Sequence, residues 1–143
     1  MKIKRTTDTD SKIYRDGLDI RMEVFVKEQG VPEASEIDAQ EEECLYLVGY
    51  EGNIPVACGR LWFAKEEEGV LQRVAVRKAY RKRGYGQAMI EHLLQAAKEQ
   101  GHITVRLHAQ LPAIPLYERL GFKTQGPIFE EAGLAHQLMV QSF

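Results

Sequence analysis

Residues 70–86 read VLQRVAVRKAYRKRGYG, and no other stretch limits the fold as much. Val70, Val74 and Val76 fall at even positions of a strand-like run. Five cations follow within seven residues: Arg77, Lys78, Arg81, Lys82 and Arg83. Gly84 and Gly86 then open a helical repeat carrying Ala88, Met89, Ile90, Leu93, Leu94 and Ala97. A strand that hands a basic glycine turn to a helix start presents free backbone N–H groups at the positive end of the helix dipole. Glycine lets a ligand approach that backbone closely. The stretch therefore predicts a cradle for a phosphate-bearing ligand.

Bulk properties limit what else the chain does. With 143 residues, 44% of them hydrophobic, it suits one domain with a real core. A net charge of −2 disfavours a nucleic-acid binder, and a purely local basic cluster favours a small anion. No apolar run approaches the roughly 20 residues that span a bilayer, and MKIKRTTDTD lacks the hydrophobic centre of a signal peptide. Cys44 and Cys58 form no CxxC pair and fit a reducing compartment. The expected location is the cytoplasm.

The chain opens with a short strand at Lys2–Thr6. Asp10 or Ser11 caps a helix through Val26, with a break near Gly17, and Gly30-Val31-Pro32 ends it. Residues 33–43 form an acidic loop with six acids and no cation. Leu45–Tyr50 and Ile54–Phe63 read as a hairpin over Glu51-Gly52-Asn53. After the glycine-turn helix, Gly101 is a stop and His102–Ala109 a strand, with Ile103, Val105 and Leu107 on one face. Pro112 starts a short helix ended by Gly121, and a last strand covers His136–Gln141. An antiparallel run followed by a β-α-β unit makes the class α+β with a mixed sheet.

Three phosphate motifs compete for RKRGYGQAM. A P-loop needs Lys-Ser/Thr after its last glycine, and Gln87-Ala88 stands there. A dinucleotide fingerprint needs a third small residue where Met89 stands, and belongs to the first β-α unit of a parallel sheet. The pattern Arg/Gln-x-x-Gly-x-Gly/Ala is matched by Arg81, Gly84 and Gly86.

With that loop, the strands LQRVAV and ITVRLHAQ, and the late segment AIPLYERLGF, nearly the whole chain resembles the GNAT superfamily of acyl-CoA-dependent N-acyltransferases. Ala113, Tyr117, Gly121 and Phe122 keep the family spacing, and VFVKEQGVP, EID, HAQ and AGLAHQLM resemble the ElaA/YjcF-like branch. The resemblance implies one domain over residues 1–143, with a mixed, mostly antiparallel sheet of six to seven strands flanked by helices on both faces. It implies acetyl-CoA as co-substrate and acetyl transfer to a small-molecule or peptide amine. Val74, Ala75 and Val76 would pair with the pantetheine arm, and a backbone N–H near Val74 would polarise the thioester carbonyl. N–H groups of Arg83, Gly84, Tyr85, Gly86 and Gln87 would hold the pyrophosphate, with Arg81, Lys82 or Arg77 reaching the other phosphates. Tyr117 is the implied acid toward the departing thiolate; the alternative is an ordinary core tyrosine beside Leu116, Leu120 and Phe122. Gln110 stands where many relatives have asparagine.

The base departs from the family pattern. Many members carry a glutamate on the strand that here reads Leu71-Gln72-Arg73, and neither Gln72 nor Arg73 accepts a proton at neutral pH. Many relatives in the branch also have a histidine where Tyr46 stands. His136 is the first substitute, with a reference pKa near 6.5; Glu28, Glu36 and Asp38 come next. Glu33, Glu36 and Asp38 either steer a cationic amine or form a solvated loop. Arg21, Arg60 and Arg73 either read a substrate carboxylate or neutralise those acids, and a buried Arg73 would pair with Glu36 or Asp38. No His/Cys/Asp/Glu spacing makes a metal site, and His92 and His102 stand apart. Without GxSxG, a serine hydrolase fits poorly. Rival readings are a CoA- or nucleotide-binding sensor without catalysis, and an RNA-binding module on the Arg77–Arg83 patch that lacks stacking aromatics. Homodimers are common in the family, though no pattern here locates an interface.

Overall fold

A computed structural model describes residues 1–143, and every strand joins one sheet. The strands are β1 (Lys2–Thr6), β2 (Cys44–Glu51), β3 (Ile54–Lys65), β4 (Glu68–Val76), β5 (Thr104–Gln110), β6 (Lys123–Glu131) and β7 (Leu134–Ser142). They lie in the order β1-β2-β3-β4-β5-β7-β6, antiparallel throughout except for β4 against β5. The helices are α1 (Lys12–Arg21), α2 (Glu33–Glu36), α3 (Tyr85–Glu99) and α4 (Ile114–Arg119). This is the expected mixed α+β sheet at the upper strand number. No helix is long and apolar enough to cross a membrane.

β2 is buried along almost its whole length because helices cover both faces of the sheet. Leu45 and Leu47 pack in one core with Met89, Ile90 and Leu93 of α3, while Val48 and Tyr50 pack in another with Ile20 of α1 and Val24 beyond it. The fully buried Met89, Ile90, Leu93, Ala96 and Ala97 give α3 one apolar stripe. Each large member contributes roughly 1.5–3 kcal/mol by leaving water. At both interfaces a side chain in place of glycine would press on its neighbour. A Cβ on Gly59 of β3 would lie 2.8 Å from Leu93 Cδ1, and one on Gly17 of α1 would lie 3.1 Å from Val48 Cγ2. Gly17 therefore marks an approach and not a break, and α1 runs through it.

Ser11 caps α1, its hydroxyl accepting from Tyr14 N–H at 3.2 Å. Past Arg21 the helix continues as a π-helix over Met22–Glu28, a rare form often found at functional sites. β6 is the element that the residue pattern concealed. Gly126-Pro127 interrupts it, its register shifts between Gln125 and Phe129, and its side chains are mostly exposed. An edge strand tolerates proline because the missing N–H has no ladder partner on the open side. β7 starts at Leu134, two residues earlier than its apolar pattern indicates, and β5 starts at Thr104, leaving Ile103 exposed.

Candidate active site

The site is a gap in the sheet. β4 and β5 pair at Glu68–Thr104, Gly69–Val105 and Val70–Arg106, and no pairing continues beyond. A bulge interrupts the β3–β4 ladder between Cys58–Ala75 and Arg60–Gln72, and places Arg73 at a left-handed φ of 58°. A residue with a Cβ adopts that backbone only when its surroundings enforce it. Past the bulge, Ala75 and Val76 pair with β3 on one side, and Val74, Ala75 and Val76 line the gap on the other. The resulting cleft has a volume of about 920 Å³.

One end of the cleft is the glycine turn. Gly84 caps α3 at φ 79° with no side-chain acceptor, so the N–H groups of Gly84, Tyr85, Gly86 and Gln87 have no partner within the helix. All four residues line the cleft. The cations are arranged less freely than their sequence implies. Arg81 makes a bidentate pair with Glu28 at 2.6 and 2.7 Å and donates through Nε to Val76 O. Arg77 pairs with Glu23 at 2.6 Å, and Arg83 reaches Glu51 at 3.3 Å while lying over the Tyr80 ring. The hydrogen bond with Arg81 raises the arginine's pKa and lowers that of Glu28. Lys78 and Lys82 are in no ion pair, and of the two Lys82, at φ 66°, lines the cleft, open to an anionic ligand without a prior exchange.

The acidic loop forms a buried ionic core behind the bulge. Arg21 meets Glu36 at 2.9 Å and Glu41 at 2.8 Å; Arg60 meets Asp38 at 2.6 Å and Glu41 at 2.9 Å. Arg73 meets Asp38 at 3.2 Å and lies 2.8 Å from Glu36 through Nε, at an angle too poor for a hydrogen bond. Tyr14 and Tyr46 hydroxyls also donate to Glu41. Burial alone would raise the Glu41 pKa, but the Arg21 hydrogen bond, the Asp38 N–H and Arg60 together hold it far below the usual carboxylate range. Burial also pushes the Tyr46 phenol well up.

This core decides several expectations. Arg73 pairs with both predicted acids. Arg21 and Arg60 are 2% and 0% exposed and do not line the cleft, so their reading of a substrate carboxylate is corrected to a structural role. The solvated-loop reading fails for Glu36, buried under two arginines. Glu28 is spent on Arg81 outside the cleft, and this removes it as a base or substrate contact. Glu36 and Asp38 do reach the cleft wall, but each is already neutralised.

Tyr117 and His136 also line the cleft. Tyr117, on α4, is 9% exposed and packs edge-on against Phe122 at 5.7 Å. Burial pushes its phenol up to about 12. His136, on β7, is 6% exposed. Its Nδ1 is 2.8 Å from Leu134 O, and a carbonyl only accepts, so the proton sits on Nδ1. In the neutral ring, Nε2 then carries the lone pair. Gln110 lines the cleft and donates to Gln29 at the end of the π-helix at 3.0 Å.

An open strand edge beside a helix N-terminus suits a ligand that combines amides with phosphates, and comparison with known proteins bears this out. Residues 14–122 match the model of the Acetyltransferase (GNAT) family. The chain belongs to the GNAT family. It is 38% identical over 128 residues to the uncharacterized N-acetyltransferase YjcF of Bacillus subtilis, covering 89% of this chain and 91% of that one. An acyl-CoA N-acyltransferase from Pseudomonas aeruginosa is 27% identical, with a TM-score of 0.88 over 99% of this chain and 100% of the other. Escherichia coli ElaA shares the fold with a TM-score of 0.88 at 24% identity, each chain 99% covered. The chain falls in the ElaA/YjcF-like branch of this transferase family, and solved structures of this fold hold acetyl-CoA or coenzyme A.

In a GNAT cleft of this shape, three groups here have no counterpart among the residues expected from sequence. Gln29, directly after the π-helix, lines the cleft. His108, on β5, places Nδ1 3.0 Å from Glu131 Oε1, and Glu131 Oε2 lies 3.9 Å from His136 Nε2. Phe129 fills the space between the two histidines, edge-on to His108 and stacked on His136. His108 was legible: Val105, Leu107 and Ala109 face the core, so Arg106, His108 and Gln110 share the other face. Glu131 was not, because it ends the strand that Gly126-Pro127 disguises.

Proposed function

We propose that the protein is an acetyl-CoA-dependent N-acetyltransferase that moves an acetyl group onto a primary amine by direct attack on the thioester. The observation that carries this reading is the convergence on one cleft of a free strand edge at Val74–Val76, an unpartnered phenol at Tyr117 and an imidazole lone pair at His136. Residues 1–143 act as a single catalytic domain in the cytoplasm. The acceptor is a small-molecule or peptide amine, and nucleic acid plays no part.

The strand edge binds the amide-rich pantetheine arm, and N–H groups of Arg83 to Gln87 receive the pyrophosphate, with Lys82 adding charge. The bulge at Arg73 turns a backbone N–H near Val74 toward the thioester carbonyl, where it stabilises developing negative charge. His136 Nε2 takes a proton from the incoming ammonium and frees the attacking lone pair. Tyr117 supplies a proton to sulfur. With its pKa at about 12 against about 8.5 for a thiol, transfer to a free thiolate is uphill by roughly 5 kcal/mol. The phenol therefore delivers its proton as the C–S bond breaks, in step with collapse of the adduct.

The test is thiol release from acetyl-CoA against a panel of primary amines, with calorimetry of acetyl-CoA binding beside it. Micromolar acetyl-CoA affinity with amine-dependent release is expected, and no measurable affinity sinks the reading. A second reading, a CoA-binding sensor without catalysis, draws on the strand Leu71-Gln72-Arg73, which lacks the glutamate that many relatives carry there. It predicts the affinity without release.

A further inference from the structure

The cleft wall carries three carboxylates, Glu36, Asp38 and Glu131. Arginine neutralises the first two, and Glu131 has no arginine or lysine within ion-pair distance. It is also the one best exposed, at 49%. The two acids that the loop brings to the cleft are thus already compensated before a substrate arrives. The free anion of the cleft comes instead from the far end of the chain.

Its carboxylate is held in a defined orientation. A carboxylate only accepts, so His108 donates from Nδ1 to Oε1 at 3.0 Å and leaves Oε2 turned to His136. The Ala132-Gly133 turn, with φ of 53° and 78°, closes the β6–β7 hairpin directly after Glu131 and fixes where the strand ends. His136 is more than nine-tenths buried, and its Nε2 makes no hydrogen bond. Two acceptors, an anionic oxygen and an imidazole lone pair, therefore converge 3.9 Å apart on the cleft. A nitrogen placed about 2.9 Å from both would subtend roughly 85° between them, within reach of two N–H donors of one ammonium.

We propose that Glu131, steadied by His108, is the ammonium-binding residue of the acceptor site, holding the protonated amine between its Oε2 and His136 Nε2. The proposal rests on the acetyl-transfer reading above for what the bound amine does next. His136 accepts one N–H proton, the nitrogen keeps the electron pair for attack, and the imidazolium left behind faces the Glu131 carboxylate. The acceptor that fits is a primary ammonium with N–H donors, and a quaternary ammonium of similar charge does not fit.

The experiment titrates CoA-saturated protein with n-butylammonium and with tetramethylammonium chloride by calorimetry, and measures amine KM and kcat by thiol release. Wild type is expected to bind n-butylammonium at least tenfold more tightly than tetramethylammonium. Glu131→Gln should weaken n-butylammonium at least tenfold and raise the amine KM by a similar factor, with kcat changed less than threefold and acetyl-CoA affinity unchanged. Glu33→Gln, an exposed acid outside the cleft, should change none of these. Absence of n-butylammonium binding, equal binding of the two cations, or an unaltered affinity and KM in Glu131→Gln would overturn the proposal. Thiol release without Glu131 dependence leaves acetyl transfer standing and removes the clamp. Glu131-dependent binding without thiol release for any amine does the reverse.

Discussion

Replacing Arg60 by methionine probes the ionic core most directly. Arg60 is fully buried and donates to Glu41, Asp38 and the Gln72 amide. Three arginines balance three carboxylates in this core: Arg21, Arg60 and Arg73 against Glu36, Asp38 and Glu41. The substitution leaves one negative charge uncompensated beneath the sheet. Removing one partner of a buried pair costs about 3–5 kcal/mol, because the remaining ion loses its compensation and does not regain water. Here the lower end applies, since Glu41 keeps Arg21 and Asp38 keeps Arg73. A loss of about 3 kcal/mol from a typical 5–15 kcal/mol leaves a folded protein. For a chain of this size that loss lowers Tm by roughly 6–12 °C.

The same variant has a pH signature. Glu41 has a folded-state pKa held below its unfolded value, so its pairing contributes stability that is complete above about pH 4.3 and is lost as pH falls below it. Without Arg60 that hold weakens, and the variant has less to lose on acidification. Urea titrations of both proteins should show a gap of about 3 kcal/mol near pH 7 that persists to about pH 4.3 and narrows as pH falls further below it. Adding Glu41→Gln to the variant should close part of the gap at neutral pH, by removing the orphaned charge. A gap below about 1 kcal/mol, or one that ignores pH, would refute the view that charge compensation holds this loop under the cleft.

Two smaller tests bear on the acid and on the sheet–helix contact. Tyr117→Phe should lower turnover by about 10²–10³ with acetyl-CoA affinity within threefold of the parent; turnover within twofold removes Tyr117 as the acid. Gly59→Ala should destabilise the fold by roughly 1–3 kcal/mol in urea, because its Cβ would press on Leu93 and Met89 of α3. Unchanged stability there means α3 moves off the sheet more easily than its packing indicates.

Local patterning was enough for most of the scaffold and for half the site. Gly84 and Gly86 are readable because the backbone of a helix start is itself the binding group, and glycine is what lets a ligand reach it. Tyr117 stands at the spacing that the family resemblance implies, His136 is the histidine expected to replace the missing acid, and both line the cleft. The alternation around Leu107 and Ala109 marks a half-buried strand without further help. β6 escaped because its side chains carry no apolar face; it exists by pairing with β7, a long-range hydrogen-bonding choice invisible in its own residues.

Charge was the quantity that sequence could not assign. Six acids stand in one loop and five cations in one turn, yet three of those acids and three of those cations are held in ion pairs. A side chain's effective charge depends on what lies within a few ångströms, and the partners here come from distant segments: Glu41 with Arg21 and Arg60, Glu28 with Arg81, Glu23 with Arg77. By itself, the sequence determined where a strand, a glycine turn and a helix would present backbone N–H groups, since those depend on neighbouring residues alone. Only the tertiary structure decided that the conspicuous acids and most of the arginines cancel one another. It left Lys82 and Glu131 as charges on the cleft wall that no residue of opposite formal charge among Lys, Arg, Asp and Glu pairs with, because desolvation forces buried ions to pair and leaves free those that no partner reaches.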